Sequence, residues 1–128
     1  MTAETLCDAL DAACGRWTTR TALSSGGART TYGELRDQVA ARAADYRRLG
    51  VRRGDRIVCQ MPNRPEHLVA AFAAWYCGAV YVGAHPALTA RELSTLVRLT
   101  GAALVVHEGQ DPPPSVAALR RARPEPRL

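Results

Sequence analysis

Three times between residues 31 and 101 the chain writes the same punctuation: a polar cap, an acid three residues later, a run at helical spacing, and a glycine. Thr31-Tyr32-Gly33-Glu34 is a capping box, in which the Thr hydroxyl and the Glu carboxylate each satisfy a free backbone N–H, and Gly50 closes that run. Asn63 with Glu66 reads as a second cap, closed by Gly78, and Thr89 with Glu92 as a third, closed by Gly101. Between and after them lie the short apolar runs "DRIVCQM", "AVYV" and "AALVV". Residues 55–107 therefore read strand, helix, strand, helix, strand, and alternation at this spacing predicts a parallel sheet with crossover helices.

The fold class expected is α/β: a three-layer-like βαβαβ parallel sheet with flanking helices and a short N-terminal hairpin. The hairpin is placed at "TALSSGGARTTY", with Ser24-Ser25-Gly26-Gly27 as its turn. Before it, "AETLCDALDAACGRW" reads as an amphipathic helix with Leu6, Leu10 and Ala13 on one stripe. In the second long helix Leu68, Val69, Phe72, Ala73 and Tyr76 form the apolar face, with His67 partly exposed in its first turn. Past Gly109 three prolines open a Pro- and Arg-rich segment. The expected division is one domain over 1–109 and a tail over 110–128, disordered or docked on a partner.

A chain of 128 residues with 47% hydrophobic and 23% charged residues suits one globular domain. All 17 basic residues are arginine, against 12 acids, for a net charge of +5. Without aromatic residues interleaved among the arginines for base stacking, nucleic acid is not an expected partner. The cysteines (Cys7, Cys14, Cys59 and Cys77) lack CxxC spacing and paired His ligands, so neither a metal site nor a cofactor is expected. No run is long enough to span a bilayer and no leader is evident, so the expectations are a cytoplasmic protein and no membrane partner.

The pieces from Thr31 to Val106 resemble, in order, the N-terminal subdomain of the adenylate-forming superfamily, that of acyl-CoA synthetases and peptide-synthetase adenylation domains. Thr31-Tyr32-Gly33-Glu34-Leu35 is similar to that family's "TY.EL" helix start. Leu49-Gly50-Val51 with Gly54-Asp55-Arg56 is similar to its "LGV..GDRV" link, and Met61-Pro62-Asn63 to its strand-end "PN". Gly78-Ala79-Val80-Tyr81-Val82 is similar to "AGA.YVP", and Pro86-Ala87-Leu88-Thr89 to the following "P.LT..EL". The resemblance implies acid activation with ATP through a Ser/Thr/Gly-rich phosphate loop, a Thr/Glu pair for magnesium, a ribose-binding Asp and a C-terminal lysine. None of these is recognisable here, and the chain contains no lysine. The expectation is a chain truncated before the ATP-binding motifs and unable to adenylate acids alone. Ser24-Ser25-Gly26-Gly27 is explained as a hairpin turn rather than a phosphate cradle. The stretch Val82-Gly83-Ala84-His85-Pro86 departs from the family pattern.

Open parallel sheets bind ligands beyond the carboxyl ends of their strands. Those ends gather Asn63, Arg64, His85, His107 and Glu108 as candidate ligand-binding residues, suited to a small carboxylate or acyl ligand, with His85 the candidate for acid–base work. The leading functional expectation is a non-catalytic accessory or binding subunit of a biosynthetic pathway. It would form a homo-oligomer or a complex with a larger biosynthetic enzyme. The alternative is a repurposed small enzyme that acts without ATP on an acyl or carboxylate-bearing intermediate at that edge. Open strand edges and an uncovered apolar face are the reason to expect a partner. The segment around Val116, Ala117 and Leu119 is the chain's own candidate cover.

Overall fold

A capping box opens the chain as it is seen in the computed structural model, which describes residues 4–107. The Thr5 hydroxyl accepts from the Asp8 N–H, and the Asp8 carboxylate accepts from the Thr5 N–H, each at 3.1 Å, ahead of α1 (Leu6–Arg16). The buried stripe of α1 is Leu10 and Cys14, which corrects the expectation for Leu6: that side chain is 58% exposed. Cys14 is buried against the next helix, and its Sγ donates to the Tyr32 carbonyl at 3.2 Å.

The hairpin forms as expected from β1 (Thr21–Ser25) and β2 (Ala28–Thr31), antiparallel. Its two-residue turn takes φ of +55° at Gly26 and +84° at Gly27. A tight hairpin with both central residues in the left-handed half of the map needs such a pair. The same Thr31 that ends β2 caps α2 (Tyr32–Arg48) through the box with Glu34.

Then follow β3 (Arg56–Gln60), α3 (Pro65–Tyr76), β4 (Val80–Gly83), α4 (Ala90–Thr100) and β5 (Leu104–His107). All three strands are parallel, in the order β4-β3-β5, so β3 lies in the middle. The strand period of two sorts the core. Ile57 and its register partner Leu104 face α2 and α3, in a cluster with Ala43, Tyr46, Ala73 and Ala74. Val58 and its partner Val105 face the other way, onto Leu93 and Val97 of α4. A further cluster of Leu10, Cys14, Leu35, Val39 and Val69 fastens α1 to α2 and α3. Helices, sheet and helix make three layers, in agreement with the sequence reading. The 110–128 segment, Val116 to Leu119 included, lies outside the described residues, as does Glu108.

One cap differs from expectation. The N-cap of α3 is Arg64 rather than Asn63, with no side-chain capping bond, and Pro65 fills the first helical turn. Proline's fixed φ and missing N–H suit that first position, so the helix starts against the proline and Asn63 falls outside it.

Candidate functional site

The carboxyl ends of β3 and β4 open onto two adjoining clefts that share Asn63 and His67. The first, about 470 Å³, lies between the hairpin, α3 and β4, and the second, about 510 Å³, lies between the β3–α3 and β4–α4 loops. Both fall in the size range of small-molecule pockets.

Residues spaced four apart build the wall of the first cleft: His67, Ala71 and Trp75 come from one face of α3. His67 Nε2 is hydrogen-bonded to the Tyr81 hydroxyl, which reaches across from β4. Trp75 packs edge-on against Tyr81, with ring centroids 5.9 Å apart, and Phe72 packs edge-on against Trp75 at 5.1 Å. Burial raises the Tyr81 phenol above its ordinary value, with a smaller contribution from Cys59, so the ring stays neutral. Asn63 and Arg64 stand exposed beside this aromatic wall, and Ser24 and Ser25 of the hairpin line the same cleft. No carboxylate or thiol is among the residues lining either cleft. One arginine, two histidines and several neutral donors suit an anionic group beside an apolar or aromatic body.

His85 lines the second cleft, but its own loop uses its ring. Nδ1 accepts the Ala87 N–H at 3.0 Å, which leaves the proton of the neutral ring on Nε2. The free nitrogen is then a donor, and neutral His85 offers a ligand a hydrogen bond rather than a lone pair. The His85 and Leu88 carbonyls both accept from Gln60 Nε2, at 3.3 and 3.2 Å, so the last residue of β3 holds the β4–α4 loop in place.

Of the residues expected at this edge, Asn63, Arg64 and His85 do come to the two clefts. His107 ends β5 opposite Gln60 and lines neither of them. The strand order explains this, because β5 and β4 flank β3 on opposite sides. The sequence reading missed His67 and Tyr81. Their signal was the four-residue spacing of His67, Ala71 and Trp75, but pairing His67 with Tyr81 requires β4 beside α3, a long-range fact. Among the described residues no group of three or more His, Cys, Asp or Glu could hold a metal ion.

Comparison with known proteins follows the same outline. A family model described as "AMP-binding enzyme" matches residues 10–128. A feruloyl-CoA synthase from Amycolatopsis sp is 38% identical over 103 residues, 80% of this chain and 21% of that protein. Triostin synthetase I from Streptomyces triostinicus is 38% identical over 95 residues, 74% of this chain and 18% of its own length. The chain thus spans about a fifth of the curated relatives it matches. In fold it is similar to the N-terminal subdomain of NpsA from Klebsiella oxytoca, with a TM-score of 0.78 at 23% identity, covering 93% of this chain and 33% of that one.

Proposed function

The chain belongs to the AMP-binding enzyme family, and from that premise we propose that its 128 residues are a non-catalytic binding or accessory unit of an acid-activating system. The system is a biosynthetic one, and the phosphate loop and lysine that acid activation needs come from residues other than these. The carrying observation is the chemistry of the paired clefts. Their lining supplies an arginine, hydrogen-bond donors and an aromatic wall, but no carboxylate and no thiol nucleophile. With no lysine anywhere in the chain, the site is equipped to hold a small acyl or aryl carboxylate and not to activate it. A relative named as a feruloyl-CoA synthase supports that ligand class. Reading the chain as a small ATP-independent enzyme has less support, because the Ala87 N–H already takes the Nδ1 lone pair of His85.

Two measurements test the proposal. With the isolated chain, carboxylate-dependent exchange of pyrophosphate into ATP should be absent across a panel of aryl and acyl acids. Tagged chain recovered from its native cells should carry either a second copy or a polypeptide bearing the missing phosphate loop and lysine. Exchange by the isolated chain, or a monomer recovered alone, would remove the accessory reading.

A further inference from the structure

The end of the molecule away from the clefts is rich in arginine. There the strands begin, at Arg56, Val80 and Leu104, and α2, α3 and α4 finish. Backbone bonds tie the three connections together: the Gly54 N–H donates to Gly78 at 2.9 Å, Val80 to Asp55 at 2.7 Å, and Ala103 to Arg56 at 2.9 Å. Residues 47–56 hold five arginines against one aspartate, all five exposed, and Arg98 joins them from the last turn of α4. Some of this charge has a local use. Arg47 donates to the Tyr76 carbonyl at 3.0 Å, Arg48 pairs with Asp45, and cations near helix C-termini offset the helix dipoles. Three helix ends at about half a charge each, with Asp45 and Asp55, still leave a surplus of roughly two to three positive charges.

Apolar side chains stand among the arginines. Leu49 is 56% exposed, Val80 50% and Leu99 82%, three of the five large hydrophobic residues that are exposed among those described. They come from three separate segments: the α2 cap, the first residue of β4 and the end of α4. Protein interfaces are built around a contiguous desolvated centre. Single apolar side chains set between cations match instead an interface where each inserts separately and the charges stay at headgroup level.

We propose that this end is a peripheral docking surface for an anionic lipid bilayer, with Arg52, Arg53, Arg56 and Arg98 at the headgroups and Leu49, Val80 and Leu99 dipping below them. Bound this way, the chain turns its clefts toward water. Among the described residues no helix is long and apolar enough to cross a membrane, and the proposal requires none. The expectation of no membrane partner came from scanning for a spanning run. A patch assembled from residues 47–99 leaves no mark in such a scan.

The experiment is co-sedimentation of the full 128-residue chain with phosphatidylcholine vesicles, with and without phosphatidylglycerol. The chain should pellet with the mixed vesicles, stay in solution with pure phosphatidylcholine, and be released by salt. Each arginine near an anionic surface is worth roughly fivefold, so Arg52→Gln, Arg53→Gln and Arg56→Gln together should weaken binding roughly a hundredfold. Leu99→Ser leaves the charge unchanged and should weaken it as well, with circular dichroism confirming the fold of each variant. Failure to pellet with the mixed vesicles overturns the proposal. So does undiminished binding by the triple variant, or loss only on Arg120→Gln, Arg121→Gln and Arg123→Gln, which places the attraction in residues 108–128. Indifference to Leu99→Ser with full displacement by soluble poly-glutamate also overturns it, in favour of an acidic protein partner.

Discussion

His67 and Tyr81 show what a single residue gains from its surroundings. Each is half-buried, and their mutual hydrogen bond satisfies two polar groups beside an aromatic wall. Tyr81→Phe should leave the imidazole short of a partner and cost about 1–2 kcal/mol in urea unfolding. The double change Tyr81→Phe with His67→Phe should cost less than the sum of the single changes. Cys59, 1% exposed on β3, gives a pH prediction. Burial pushes its thiol up from 9.0 to about 11, with Arg42 partly opposing. Between those two values the unfolded chain has released a proton that the folded chain keeps. Its contribution is therefore complete below pH 9.0 and is lost as the pH rises toward about 11. Urea midpoints measured across that window should fall with pH, and more gently in Cys59→Val. The sequence placed Cys59 correctly because an apolar strand run is a local signal. It could not pair His67 with Tyr81, because fourteen residues and a helix end separate them.

At the level of the element, the caps carry information that is both local and energetic. Thr31 and Thr89 make complete capping boxes with Glu34 and Glu92. Thr31→Ala and Thr89→Ala should each destabilise by about 1 kcal/mol in chemical denaturation. Gly101 ends α4 in the left-handed region at φ +63°. With open space where a Cβ would go, Gly101→Ala should cost about 1 kcal/mol through backbone strain alone. These boundaries were legible because donor, acceptor and stop lie within a few residues of one another. The α3 start was misread by one position, because Asn63 has the right chemistry for a cap while Pro65 sets the geometry. The α1 stripe was misread for a different reason. Which of two neighbouring helix positions is buried depends on where α2 lies, and that is not written in α1.

For the molecule as a whole, two tiers of legibility separate. The alternation of Ile57 with Val58 and of Leu104 with Val105 marks a sheet covered on both faces, and the structure covers it so. Strand order is another matter, since apolar runs carry no label for their neighbours. It is the order β4-β3-β5 that takes His107 away from the clefts. Hydrogen exchange reads this arrangement directly. Among the described residues only β3 has a partner strand on each side, so its amides from Ile57 to Gln60 should exchange most slowly of the three strands, with β4 and β5 faster by orders of magnitude. Equal protection across the strands would mean that something further covers the sheet edges. The same arrangement bears on how the molecule is made. The strand at the centre is the first of the three to be synthesised, so each later strand pairs with a segment already made. A chain synthesised as far as Gly83 contains every residue of the β3–α3–β4 unit, while α4, whose Leu93 and Val97 cover Val58, is still to come. Synthesis then adds one helix and one strand to a growing edge, and no finished pairing has to be undone to admit them.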